Sequence, residues 1–156
     1  MIYVFDTSSF IVLGHYFPVH FPTFWQRFEA AVTNGLVVST REVRRELDRQ
    51  EAREHLREWI KNHKEVFCTP SPAETLFVRD IFSVSHFQQM ISLKQRLQGK
   101  PIADPFVIAA AKVRDGCVVT EEKGKDNAAK IPNVCDHFSI PWTNLEGFLA
   151  REEWSF

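Results

Sequence analysis

The stretch Ile2–Phe5 constrains the fold more than any other. It is continuously apolar and β-prone, and Asp6 stops it at once. A run that short, apolar on both faces, reads as a central strand of a parallel sheet, covered from above and below. A parallel strand cannot reach its neighbour through a tight turn. It needs a crossover, usually helical, so the rest of the chain must alternate strand with helix.

The remaining sequence has that alternation. Thr23 to Val32 are an amphipathic helix with Phe24, Phe28 and Ala31 on one face, ended by Asn34-Gly35. Leu36 to Ser39 are a second strand, and Thr40 is placed to cap the charged helix that follows. Val43 and Leu47 mark the inner face of that helix. Leu56, Trp59 and Ile60 mark its continuation, or a second helix, to about Lys64. Glu65 to Thr69 read as a short third strand. Helices are expected over about Ala73–Phe82 and His86–Leu97, with Gly99-Lys-Pro101 as a loop. Asp104-Pro105 opens an apolar helix, Phe106 to Val113. Cys117 to Thr120 are a fourth strand, Glu121 to Lys130 a polar loop, Pro132 to Ser139 a short helical turn, Pro141 to Thr143 a fifth strand, and Leu145 to Arg151 a terminal helix. The expected class is α/β, three-layered, with a central parallel sheet of four to five strands flanked by helices, as one domain over residues 1–156.

A chain of 156 residues buries roughly 70% of the surface it exposes when unfolded, so it needs no disulfide or metal staple. Cys68, Cys117 and Cys135 are odd in number, form no C-x-x-C, and lie in or beside apolar stretches. They read as buried reduced thiols, which suits a cytoplasmic location. No apolar run approaches the ~20 residues of a membrane span, and no leader precedes the first strand, so no membrane partner is expected. The net charge of −1 excludes strong nonspecific duplex binding but allows a nuclease with a local basic rim.

In open parallel sheets, ligands bind beyond the carboxyl ends of the strands. Acids fall there. Asp6 ends strand one. Glu42 and Glu46 follow strand two. Glu121 and Glu122 follow strand four, with Asp126 a little later, and Asp104 starts the helix that feeds strand four. Each has an ordinary explanation. Asp6 can cap the next helix. Asp104 before Pro105 is an N-cap pattern. Glu46 sits beside Arg45 and near Arg49, as on a solvated face, and Glu122 and Asp126 lie in a polar loop. The joint pattern is harder to explain that way. Clustered carboxylates raise each other's pKa and stay ionised together only with cations present. Their hard oxygen atoms suit Mg²⁺ or Mn²⁺.

Four segments, taken in order, resemble the PIN domain, the nuclease fold of VapC-type toxins. I-Y-V-F-D-T-S-S-F-I resembles the opening strand with its aspartate, Asp6. V-S-T-R-E-V-R-R-E-L resembles the second motif, with Glu46 at the family spacing and Glu42 one turn earlier. I-A-D-P-F-V-I-A-A-A-K resembles the third, with Asp104. C-V-V-T-E-E resembles the fourth strand with its terminal Thr120. The family often has Asn where Ser8 stands, and its fourth acid follows the threonine; here Glu122 and Asp126 compete for that role.

The resemblance implies a metal-dependent endoribonuclease that hydrolyses RNA phosphodiester bonds. Asp6, Glu46 and Asp104, with Glu122 or Asp126, would hold one or two Mg²⁺ or Mn²⁺ ions. Thr7, Ser8, Thr120 and Glu42 would support them by hydrogen bonding. Lys123, Lys125, Lys130 and Arg45 are candidates for the substrate phosphates. Arg41, Arg45, Arg49, Arg53, Arg57 and Lys61 recur every fourth residue, but glutamates share that spacing, and Glu54 with Arg57 reads as a surface ion pair. Tyr16, Phe17, Phe21, Phe24 and Trp25 suit core packing, a dimer surface or base stacking. An antitoxin protein and a second copy of the chain, in a homodimer, are the expected partners. A catalytically silent RNA- or protein-binding module, or a structure-specific DNA nuclease, is the alternative. A haloacid-dehalogenase phosphatase would need an aspartate where Ser8 stands, and a receiver domain would need an acidic pair near the first strand.

Overall fold

The computed structural model describes residues 1–91, 98–99 and 102–156. Its centre is a five-stranded parallel sheet in the order β3-β2-β1-β4-β5. The strands are β1 (Tyr3–Phe5), β2 (Val37–Thr40), β3 (Phe67–Cys68), β4 (Cys117–Val119) and β5 (Trp142–Thr143). β1 is the middle strand, as its apolar run requires. Tyr3 aligns with Val37 on one side and Cys117 on the other, and Phe5 aligns with Val119. β3 and β5 extend the sheet outward through Ser39–Phe67 and Val118–Trp142. The fold is PIN-like, with helices flanking the sheet.

Side chains alternate across the sheet. Tyr3 and Phe5 share a face, and α2 (Pro22–Thr33) and α8 (Leu145–Arg151) cover it. The Phe5 ring lies 5.6 Å from Phe28 of α2 and 5.2 Å from Phe148 of α8, both edge-to-face. It also lies 5.8 Å from Phe10 of α1 (Thr7–Leu13). Such pairs add about 0.5–1.5 kcal/mol each beyond area burial. Val4 points to the other face. α6 (Asp104–Arg114) packs across β1, β2 and β4, and α5 (Pro72–Ser83) packs on α6. The buried run Ala109–Ala111 keeps the inner surface of α6 thin, which allows a close approach to the sheet.

Between β2 and β3 the charged segment forms two helices, α3 (Arg41–Arg49) and α4 (Glu54–Asn62). Thr40 caps α3 by accepting the Val43 N–H, as expected. The expected helix over His86–Leu97 starts as a 3₁₀ helix, Ser85–Met90; residues 92–97 lie outside the described ones, as do 100 and 101 of the expected loop. The turn expected at residues 132–139 is helix α7 (Ile131–His137). Cys117 and Cys135 are buried and free. Cys68 is free but only half-buried, because β3 is an edge strand. The aromatic segment divides. Phe24 and Trp25 join the core, Tyr16 is half-buried, and Phe17 and Phe21 remain exposed. Among the described residues no helix is long and apolar enough to cross a membrane.

The turn from α6 into β4 passes very close to β1. A Cβ on Gly116 would sit 2.6 Å from the Ile2 carbonyl oxygen, a backbone atom that cannot move without breaking the sheet. At Gly124 the nearest atom would be the Pro132 Cβ at 3.4 Å, an ordinary contact. Gly116→Ala is therefore expected to cost about 1–3 kcal/mol, as overpacking does, while Gly124→Ala stays near neutral. Urea denaturation of the two variants against wild type checks this.

Candidate functional site

The carboxyl edge of β1 ends in Asp6, which is 3% exposed and caps α1. Its Oδ1 accepts the Ser9 N–H at 2.8 Å. The Ser8 hydroxyl lies 2.8 and 2.9 Å from its two oxygens, and the Thr120 hydroxyl, at the end of β4, donates to Oδ2. Both hydroxyls also accept from the chain beyond β4. Glu121 N–H donates to Ser8 Oγ at 3.0 Å, and Glu122 N–H to Thr120 Oγ1 at 3.1 Å. Two short relays thus tie the segment after β4 to one carboxylate. Burial pushes the Asp6 carboxyl up, and the bonds from Thr120, Ser9 and Ser8 pull it part of the way back.

Glu46 reaches the same edge from α3. The Thr7 hydroxyl stands 3.4 and 3.5 Å from its oxygens, long for hydrogen bonds, and the Ala103 backbone supplies another. Burial pushes Glu46 up to about 7, and the charges of Asp6 and Glu122 add to that. Asp104 is the first residue of α6. The cap position belongs to Ala103, so Asp104 does not have the N-cap role its Asp-Pro sequence allows, and its carboxyl is turned to other use. Burial, then the charges of Glu122, Glu46 and Asp6, push it up to about 8, opposed by Lys130. Glu122 completes the group. Its Oε2 accepts the Ile131 N–H at 3.1 Å, which fixes the segment after β4 against the start of α7.

Asp6, Glu46, Asp104 and Glu122 therefore come from four separate segments and sense one another's charge. Asp126 does not join them; it is exposed in a turn next to Asn127, whose φ is +61°. Glu121 is diverted to α8, where its Oε1 accepts the Leu145 N–H at 2.8 Å. Glu42 is buried and paired with Arg41 at 2.8 Å and, more loosely, with Arg45 at 3.9 Å. Lys123 and Lys125 are exposed on the loop, which Asn133 holds through the Lys125 carbonyl at 2.8 Å. Sequence reasoning missed Ser9, which holds both the side chain and the backbone carbonyl of Asp6. The readable signal was a hydroxyl residue three positions after the aspartate, the spacing of a helix cap.

All four groups offer carboxylate oxygen. Among the described residues no three His, Cys, Asp or Glu side chains already converge into a metal cage. Magnesium does not require one, since it keeps several waters and is usually held by one or two carboxylates. The donor set and its mutual repulsion fit a hard divalent cation.

The comparisons agree with the architecture. A family model described as domain of unknown function (DUF4411) matches residues 3–156. Among solved structures, a chain in the crystal structure of VapBC2 from Rickettsia felis bound to a DNA fragment from their promoter is similar, with a TM-score of 0.51 and 13% identity over 92% of this chain and 98% of that one. At that identity the likeness concerns the fold. No curated protein matches in sequence.

The raised carboxyls set a pH dependence with a definite sign. The unfolded chain releases these protons near the ordinary carboxyl values of 4.5 and 3.8, whereas folded Glu46 and Asp104 hold theirs to about 7 and about 8. Across that window the native state binds more protons, so stability falls as pH rises. Metal-free protein is expected to melt at progressively lower temperature from pH 4.5 to 8, and Asp104→Asn should flatten the decline. Thermal melts in chelator across that range would reveal a flat or rising profile if the carboxyls were not coupled.

Proposed function

We propose that this chain, which belongs to the DUF4411 family, is a divalent-metal-dependent endoribonuclease acting at Asp6, Glu46, Asp104 and Glu122. One observation carries this reading. Four carboxylates from four segments lie within reach of one another's charge, and burial with that charge pushes two of them up to about 7 and about 8. A structural protein gains nothing from such repulsion. A site that takes up Mg²⁺ or Mn²⁺ uses it, because the cation relieves it. When bound, the ion lowers the pKa of a water and neutralises charge building on a phosphate.

The protein's own groups supply the positioning. Ser9 N–H and the Ser8 and Thr120 hydroxyls hold Asp6 in one orientation, Thr7 steadies Glu46, and the Ile131 N–H steadies Glu122. Lys130, whose charge reaches Asp104, and the exposed Lys123 and Lys125, which follow Glu122 along the chain, would draw a phosphate in. RNA as the substrate follows from the motif resemblance to PIN ribonucleases. The fold likeness to a VapBC2 chain supports a toxin-like role with an antitoxin as protein partner. Ile11, Phe17, Val19 and Phe21 are exposed apolar side chains on which that partner, or a second copy in a homodimer, would dock. A catalytically silent module is the second reading, favoured by the lack of a ready three-ligand cage among the described residues. Four acids kept in mutual repulsion count against it.

Substitution separates these readings. Asp6→Asn, Glu46→Gln, Asp104→Asn and Glu122→Gln should each lower Mn²⁺-dependent cleavage of single-stranded RNA by more than about 100-fold, beyond the usual effect of a supporting residue, and Thr120→Val by about 10–100-fold. Asp126→Asn should leave the rate near wild type. Cleavage unaffected by Asp6→Asn or Asp104→Asn would sink the shared site.

A further inference from the structure

Helices α3 and α4 enclose a groove of about 460 Å³ that lies apart from the acids. Arg44, Leu47 and Asp48 line it from α3, and Arg57, Ile60 and Lys61 from α4. Three cations face a single carboxylate, in a chain whose net charge is −1. Among the described residues none of those three cations is within 4.0 Å of a carboxylate; the pairs formed there use Arg41, Arg45, His63 and Arg114. Nor does the Arg44 Nε have an acceptor among those residues, so no protein bond there must break for this side chain to turn toward a ligand.

Helical periodicity explains the excess. Arg57 and Lys61 lie four apart and share a stripe with Ile60. Glu54 and Glu58 fall on the next stripe and line a different pocket, with Phe17, Arg53 and His55. The ion pair expected between Glu54 and Arg57 is therefore absent, and α4 turns its cations toward α3 and its acids away. The groove floor is Leu47 and Ile60, both nearly buried. An apolar floor lowers the local dielectric and strengthens attraction for an anion.

Helix α3 separates the groove from the acids. Arg44 and Glu46 are two residues apart, roughly 200° around α3, so groove and acids lie on opposite flanks of one helix. The outer face between them carries Arg45 and Arg49, which with Asp48 and Gly99 line a second, shallower concavity. Asp48 belongs to both, so the two surfaces are continuous. The path across a helix is about 10–12 Å, within reach of a few nucleotides of flexible strand. Guanidinium forks suit phosphate oxygens. We propose that the α3–α4 groove is a phosphate subsite, which holds the backbone of a single-stranded nucleic acid whose reacting bond lies at the acids across α3. This inference rests on the nuclease reading for its substrate class.

Binding measured in chelator, without turnover, tests it. The probes are a fluorescent single-stranded RNA of twelve nucleotides, a dinucleotide, and an acidic peptide of equal charge. The variants are Arg44→Gln and the exposed pair Arg57→Gln with Lys61→Gln. Each variant, folded by thermal melt, should bind the long RNA about tenfold or more weakly at low salt, and the pair should lower the salt slope by roughly 1.4. Dinucleotide binding should not change. Unchanged affinity and slope for the long RNA would overturn the proposal, as would a loss confined to the acidic peptide, which would mark a protein-docking groove. If wild type cleaves nothing with Mn²⁺ yet the variants lose RNA binding, the groove stands and only the catalytic reading falls. If wild type cleaves but binding ignores the variants, the reverse holds.

Discussion

The Asp6 carboxylate joins the helix after β1, the end of β4 and the acidic site through one set of hydrogen bonds. It is buried beside other carboxylates, which would favour a neutral acid. A backbone N–H and two hydroxyls oppose that, and each hydroxyl is itself polarised by an N–H from the segment after β4. The ordinary reading of Asp6 as a helix cap and the functional one are therefore both correct. The cap fixes the carboxylate's direction, and the relays set where Glu122 begins. Placement of the other acids follows from this. Glu46 is steadied by Thr7, the residue after Asp6, and Glu122 donates its backbone N–H to the Thr120 hydroxyl two residues before it.

The contrast between Asp6 and Asp104 shows how the site divides its work. Asp6 is held by donors. Asp104 is burdened mainly by burial and by the three other acids, with the Lys130 charge the main opposing influence. One is preorganised and the other is loaded. A divalent cation would complete the second without disturbing the first, so a site without a ready cage can still favour metal.

Much of this was legible in the sequence, for identifiable reasons. The apolar run before Asp6 fixed β1 at the sheet centre, because only a strand covered on both faces tolerates it. Parallel topology then put Asp6 and Thr120 on one edge. The choice of Glu122 over Asp126 was not legible, since it depends on the Ile131 N–H, a contact nine residues away across a loop. The Asp104-Pro105 dipeptide pointed to a cap, yet the helix starts one residue earlier and frees the carboxyl. Six cations recur every fourth residue from Arg41 to Lys61, but the helix breaks at Gln50, and α3 and α4 face each other across a groove. That is a property of packing, which periodicity along a single helix does not carry. The aromatic segment shows the same limit, because its rings divide between core and surface according to which helix they meet.

The central claim is that the four acids form one coupled metal site, and proton release on metal binding tests it most directly. Calorimetric titration with Mn²⁺ at pH 6.5, repeated in buffers of different ionisation enthalpy, measures that release. With Asp104 and Glu46 still holding protons to about 8 and about 7, binding should expel between about one and two protons and tighten as pH rises. In Asp104→Asn the release should fall below about one. Mn²⁺ binding with no proton release, or none at all up to millimolar metal, would contradict a shared site.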